Sequence, residues 1–335
     1  MQKPFSTQPE LFVTSADLKH PSLQGLDGAE TVLDWRKLEL IMSGIYASKT
    51  GRPSYPLLTL LRASLLGIWY RLSDVELAQT LFRDLLFRKF CHLELGGDVP
   101  DATTIGRFRA RLVEHDLWEI LLGEVNRQLE AKHIIMTEGR INIIDATPVE
   151  AAQSGPGKGA DGQPKRDAQA GWHVKADSRG NMKSTYGFSV HIGVDEDGFI
   201  HRQTVTAGNV HDSQERDTLL LGDEAALYAD AAYSSNATRE TLERFDIDDQ
   251  VQRKGYRNHP LSEADKIRND EIAATRSGGE RPFATYKIRY GLARTRLMGL
   301  AKNLTLYGLA AIAHNIQKGG KFLVLYDLPE PATTG

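Results

Sequence analysis

One cysteine, Cys91, is the only thiol in 335 residues. A lone cysteine closes no internal disulfide and builds no thiolate zinc cluster. It lies in the apolar stretch 85–95, which predicts a buried, inert thiol. Long hydrophobic runs are missing as well. None approaches the roughly 20 residues that span a bilayer, so no membrane partner is expected. Residues 1–10 are polar, include Pro4 and Pro9, and lack the apolar core of a secretion signal. A soluble chain that stays where it is made is the expectation. An excess of one charge sign is absent too. The net charge of −3 and pI near 6.4 exclude a uniformly basic polyanion binder, although charge can be segregated locally. It is segregated in 276–302, where Arg276, Arg281, Lys287, Arg289, Arg294, Arg296 and Lys302 face a single acid, Glu280.

What is present is an ordinary globular balance, 41% hydrophobic and 25% charged. The length suits one large domain or two ordinary ones. Residues 1–30 lack sustained periodicity and read as a flexible arm. Residues 31–135 read as an all-helical domain for DNA binding or dimerisation. Its helices are expected over 31–48, 57–70, from Ser73 with Glu76 as a capping box, from Asp101, and over 117–132. The Asp101 helix carries Arg107 and Arg111 four apart on one face. Near Arg140 the pattern changes. Ile141-Asn142-Ile143-Ile144-Asp145 and Ala226-Leu227-Tyr228-Ala229-Asp230 read as short buried strands. Residues 186–194 and 199–207 form a hairpin around the acidic turn Asp195-Glu196-Asp197-Gly198, read as a solvated tip. Residues 153–183 read as a long polar loop, 213–221 and 234–245 as helices, and 280–317 as a closing helical zone. A 136–325 domain and a 326–335 tail follow. No internal repeat is visible. This order fits an α/β class, a ribonuclease H-like mixed sheet flanked by helices and preceded by the helical domain.

Three acids draw attention. Asp145 and Asp230 each end a predicted strand, and ligands collect at the carboxyl ends of strands in sheets covered by helices. Two carboxylates brought together there repel unless a cation bridges them or one binds a proton. Hard oxygen donors suit Mg²⁺ or Mn²⁺. Glu280 follows Ser277-Gly278-Gly279 and precedes Pro282, which reads as a helix entry. Three such acids could hold two ions for in-line phosphoryl displacement, with the cationic stretch around Glu280 gripping the phosphodiester. Taken singly, Asp145 also reads as a turn residue, Asp230 as a helix cap, and Glu280 as a helix-start acid on the dipole. The pair His211-Asp212 reads either as a ligand pair or as a loop and cap.

Arg276-x3-Glu280-x6-Lys287 matches the later part of the Y-x2-R-x3-E-x6-K signature of bacterial DDE transposases, and 276–317 resembles the catalytic C-terminal region of the IS-five insertion-sequence group. Ile144-Asp145-Ala146-Thr147 resembles that group's first catalytic segment, and Tyr228-Ala229-Asp230-Ala231-Ala232-Tyr233 its second. Lys183-Ser184-Thr185-Tyr186-Gly187-Phe188 is similar to the strand entry between them. Gly51-Arg52-Pro53, the run from Trp69 to Asp74, Val99-Pro100-Asp101-Ala102-Thr103-Thr104 and Phe108-Arg109 are similar to the helical N-terminal domain. The resemblance covers roughly 30–320. It implies Asp145, Asp230 and Glu280 as catalytic metal ligands for two Mg²⁺ or Mn²⁺ ions, and Arg276 and Lys287 as phosphate or transposon-end contacts. The signature tyrosine would fall at Ala273, so that aromatic contact is missing. Asp230 and Glu280 are 50 residues apart, too few for the large β-rich insertion of some relatives.

A family member binds the terminal inverted repeats of its element and a target DNA, here as a homodimer or higher assembly in the bacterial cytoplasm beside the nucleoid. The 73–113 region is expected to present a helix-turn-helix-like unit with Arg107 and Arg111 toward DNA. Trp172, His173 and Lys175 could stack on or grip a frayed base. Arg281, Arg289, Arg294, Arg296 and Lys302 are further expected DNA contacts. Three other readings remain open on these residues: a ribonuclease H-like DNA nuclease without strand transfer, a non-catalytic DNA-binding protein derived from a transposase, and a metal phosphohydrolase for small molecules, which predicts no salt-sensitive DNA binding.

Overall fold

The computed structural model describes residues 24–46, 53–157, 166–176, 181–256 and 259–326. In chain order these form α1 (Gln24–Thr31), α2 (Trp35–Met42), α3 (Leu57–Trp69), α4 (Asp74–Arg83), α5 (Leu85–Phe90), α6 (Ala102–Glu114) and α7 (Trp118–Ala131). Then follow β1 (Ile141–Glu150), β2 (Gly171–Ala176), β3 (Met182–Val194), β4 (Ile200–Ala207), α8 (Arg216–Leu219), β5 (Ala226–Ala229), α9 (Asn236–Arg244), β6 (Asp248–Val251), α10 (Glu263–Ala284) and α11 (Leu300–Tyr326). None of the described helices is long and apolar enough to cross a membrane.

Local chemistry starts the helices where the sequence predicts. Glu76 Oε2 accepts from the Ser73 amide at 2.8 Å and Ser73 Oγ accepts from the Glu76 amide, the reciprocal box that opens α4. Asp101 Oδ1 accepts from the Thr104 amide at 2.6 Å and opens α6. Residues 24–30, expected to belong to the flexible arm, are folded. Residues 24–31 are helical, with Leu26 and Ala29 buried and Glu30 paired to the buried Arg62 at 2.8 Å. Residues 1–23 and 327–335, the rest of the expected arm and tail, lie outside the described residues. The helix-turn-helix expectation is corrected as well. α5 and the 91–101 segment separate α4 from α6, far more than a three- or four-residue turn.

The sheet runs β2-β3-β1-β5-β6, with β4 also on β3. β1 is antiparallel to β3 and parallel to β5, and β5 is parallel to β6. This mixed sheet with flanking helices has the ribonuclease H-like arrangement. Two strands differ from the sequence reading. β1 runs on through Asp145 to Glu150, placing Asp145 inside the strand and not at its end. Pro148 is tolerated because it lies past the last β1–β5 pair, where no ladder needs its missing N–H on that side. β2 emerges from the expected polar loop and pairs with β3 from Gly171↔Gly187 to Ala176↔Met182.

One hydrophobic cluster runs from Leu26 through α3 and α7 into the sheet residues Ile143, Val190 and Ile192, and on to Ile316 of α11. Helical module and sheet therefore share a core. A smaller cluster, including Ile144, Leu227, Tyr233 and Leu242, covers the other face. α11 joins the layers: a Cβ on Gly308 would stand 2.4 Å from the Trp118 ring, so only glycine lets α7 pack there. Cys91 is buried, and burial pushes its thiol well up, as expected for an inert group.

Candidate active site

The parallel pairing of β1 and β5 sets two of the acids side by side. Ile143 stands opposite Tyr228. Two residues further on, the same register carries Asp145 and Asp230 onto one edge, on strands about 4.8 Å apart. Asp230 follows β5 in extended backbone, and its Oδ1 accepts from the Ala232 amide at 2.8 Å, capping the short 3₁₀ turn Ala231–Tyr233. Asp230 thus caps this turn and not the helix that follows, whose cap is Ser235, and the bond orients its side chain.

Glu280 arrives from another direction than expected. It does not open a helix: α10 starts at Glu263 with a Ser262–Asp265 capping box, and Glu280 lies near its far end. Attraction to a helix N-terminus cannot explain it there. Gly278 and Gly279 are buried against β1; a Cβ on Gly279 would come within 2.9 Å of Ile143 Cγ2. These glycines serve close helix-on-strand contact, which brings Glu280 beside the β1 edge. Pro282 sits inside the helix, and a π turn (Thr285–Arg289) follows it.

Electrostatics links the three acids. Burial raises the Asp145 carboxyl to about 6; Arg276 opposes that rise, and the charges of Asp230 and Glu280 add to it. Arg276, four residues before Glu280 on the same helix face, stands 3.5 Å from Asp145 and donates to Gln252 Oε1 at 3.2 Å. Lys287 donates to Thr147 Oγ1, two residues past Asp145. Burial lowers its amine, and Asp145 partly restores it. The expected neighbours Arg276 and Lys287 therefore sit among the acids.

Two comparisons with known families bear on this arrangement. Residues 137–316 match the family described as Transposase DDE domain, and residues 16–111 match the family described as Transposase domain (DUF772). The chain belongs to the DDE transposase family. It is accordingly an enzyme that binds DNA, cleaves it and transfers strands, with a requirement for divalent metal. The carboxylate oxygens fit such an ion chemically, since they are hard donors and the charges of Asp230 and Glu280 raise the Asp145 carboxyl. Among the described residues no three His, Cys, Asp or Glu side chains already stand in coordinating positions. Arg276 lies against Asp145 in this arrangement.

The transposase's other expected DNA contacts are distributed unevenly. Arg281, Arg289, Arg296 and Lys302 are exposed. Arg296 lines a cleft with Arg71 and Arg109 between α3, α6 and the segment after the π turn, and Lys302 lines the adjoining one. Arg294 is committed elsewhere: its guanidinium donates to the carbonyls of Ala151, at 3.2 Å, and Ala152, at 2.8 Å, and holds the exit of β1. Arg107 and Arg111 line a separate cleft with Tyr46, Tyr55 and Phe82, and Arg111 is paired with Glu114 at 2.6 Å. Trp172 is half-exposed and leans on the Tyr186 ring, 5.2 Å between centroids. Lys175 and His173, on the opposite face of β2, act on the charge of Asp212.

Sequence reasoning missed three groups. Asp195 is no solvated tip; it is buried, accepts from the Phe199 amide at 2.8 Å and pairs with His201 at 3.0 Å. His211 is the cap, accepting from the Ser213 amide, while Asp212 beside it faces Asp230. Tyr233 was visible only as the end of the segment that resembles the second catalytic one, and His191 carried no signal beyond its apolar surroundings. The pair His211-Asp212 was visible beforehand only as an ambiguity.

Proposed function

We propose that Asp145, Asp230 and Glu280 together hold two Mg²⁺ or Mn²⁺ ions, and that the chain excises and inserts an insertion sequence of the IS-five group. It recognises the element's terminal inverted repeats, acts as a homodimer or higher assembly so that both ends are handled together, and works beside the nucleoid. The observation that carries this reading is the β1–β5 register, which aligns Asp145 with Asp230 while Gly278 and Gly279 let α10 deliver Glu280.

When bound, divalent ions supply the positive charge that an in-line phosphoryl displacement needs. The chain's own residues do the rest. Asp145, fixed in a strand, and Asp230, fixed by its cap, define the ligand positions before DNA arrives. Arg276 neutralises Asp145 in this structure and offers a bidentate fork to a phosphate once that carboxylate is engaged. Lys287 is steered by Thr147 to the same edge, where its compact ammonium can meet a non-bridging oxygen. Water attacks the phosphodiester at the element's end and frees a 3′-hydroxyl, which then attacks target DNA.

The test is cleavage of a duplex carrying the element's end. Asp145→Asn, Asp230→Asn and Glu280→Gln are each expected to abolish cutting with end binding largely kept. Any variant that still cuts would remove its residue from the site. Joining of precut ends to a target plasmid separates a transposase from a nuclease that only cleaves.

A further inference from the structure

The 3₁₀ turn Asp212–Glu215 packs against the turn Ala231–Tyr233 that Asp230 caps. Two buried donors lie behind it without partners. His191 is 0% exposed in β3; its Nε2 shares a 2.8 Å hydrogen bond with Thr206 Oγ1, while Nδ1 has no partner and stands 3.8 Å from Asp212 Oδ1. A proton on Nδ1 points toward Asp212 and leaves Nε2 to accept from the Thr206 hydroxyl. Tyr233 is 1% exposed and its hydroxyl is likewise unpartnered. The charges of Asp212, Asp145 and Asp230 act on it, and that of Arg276 opposes them.

A buried polar group gains by acquiring a hydrogen-bond partner, and a carboxylate drawn up to an ion would supply one here. His191 reaches toward Asp212 from β3, and Tyr233 stands on the turn after Asp230 that packs against the turn of Asp212. A ligating carboxylate is characteristically hydrogen-bonded by just such outer partners. His173 and Lys175 offset the Asp212 charge from the β2 side, and Asp230 is the acid whose charge it meets.

We propose that Asp212 is a fourth carboxylate ligand of the divalent-ion site, sharing an ion with Asp230 and held by His191 and Tyr233 as positioning residues. This rests on the reading of Asp145, Asp230 and Glu280 as the ion site. Its physical reason is charge balance: four carboxylates match two divalent cations, whereas three leave the pair under-neutralised before DNA binds.

The experiment is Mn²⁺ binding to the full chain without DNA, followed by the paramagnetic resonance of unbound Mn²⁺. Asp212→Asn, nearly isosteric, is expected to weaken one of the two ions at least tenfold, and Asp212→Glu to restore part of that loss. Tyr233→Phe removes only the hydroxyl and is expected to weaken the same ion by about tenfold, the usual effect of losing an outer partner. If Asp145→Asn loses Mn²⁺ while Asp212→Asn and Tyr233→Phe bind like the wild type, Asp212 is no ligand and the three-acid site stands. If Asp145→Asn and Asp230→Asn also bind normally, the three-acid site itself fails. Should Asp212→Asn melt too early to titrate, Tyr233→Phe decides, and unchanged binding there overturns the proposal.

Discussion

Asp145 carries the clearest consequence of the site's electrostatics. Its folded carboxyl lies at about 6, above the ordinary value of 3.8, chiefly through burial. A raised acid binds its proton more tightly folded than unfolded, so it favours the fold at low pH and that contribution is lost as pH rises from about 4 to about 6. In chelator-treated protein the melting temperature of Asp145→Asn should therefore rise relative to the wild type across that window. At pH 7 the variant should gain up to about 3 kcal/mol. A difference between the two proteins that stays constant between pH 4 and 6 would contradict the burial argument. Lys287 makes a second residue-scale prediction. If its ammonium meets phosphate, Lys287→Ala should weaken binding to the element's end and lower the logarithmic salt slope by about one. An unchanged slope in a salt titration would leave Lys287 with Thr147 and Asp145 only.

Among the elements, α10 bears most of the burden, because its contact with β1 positions Glu280. Gly279→Val places a branched side chain where even a Cβ comes within 2.9 Å of Ile143. Overpacking of this kind costs about 1–3 kcal/mol. A shift of Glu280 by about 1 Å should cut the cleavage rate roughly a hundredfold. Adding Ile143→Ala should recover part of both losses, measurable by denaturant unfolding and by single-turnover cleavage; strictly additive losses would mean the two side chains do not meet. The same helix shows what the sequence could and could not tell. Capping boxes at Ser73 and the Asp101 cap were legible because they depend on residues within a single turn. The hairpin of β3 and β4 was legible from its two apolar runs. Glu280 was legible as a site residue through its spacing to Arg276 and Lys287, yet its place in the helix was misread. Gly-Gly-Glu-Arg-Pro resembles a helix start locally, and only contact with Ile143, 136 residues earlier in the chain, shows the glycines serving packing instead. β2 was hidden because an edge strand with one partner needs few apolar residues. Asp212 was legible only as an ambiguity, because His191 on β3 and the turn Ala231–Tyr233 that lie near it are distant in sequence.

At the scale of the whole molecule, the helical module and the sheet are bound together by α11. Asn315 Oδ1 accepts from the Ile200 amide at 3.0 Å, and Asn315 Nδ2 donates to the Ile200 carbonyl at 2.8 Å and to Asn126 Oδ1 at 2.7 Å. Three elements, α7, β4 and α11, meet at this buried amide. With one shared core, the described chain should unfold in a single transition by both fluorescence and circular dichroism. Asn315→Leu strands several buried partners and should lower stability by at least about 2 kcal/mol. Two separated transitions would show the module and the sheet to be independent. Rigid union of these layers matters for function, since it fixes the cleft of Arg71, Arg109 and Arg296 relative to the acids.

The account stands on the convergence of Asp145, Asp230 and Glu280 on shared cations, and anomalous diffraction from crystals soaked in Mn²⁺ observes that convergence directly. Two peaks about 4 Å apart, each touched by a carboxylate oxygen of Asp145 and together reaching Asp230 and Glu280, is the predicted result. Manganese bound away from Asp145, or held without any oxygen from Asp230 or Glu280, would contradict it.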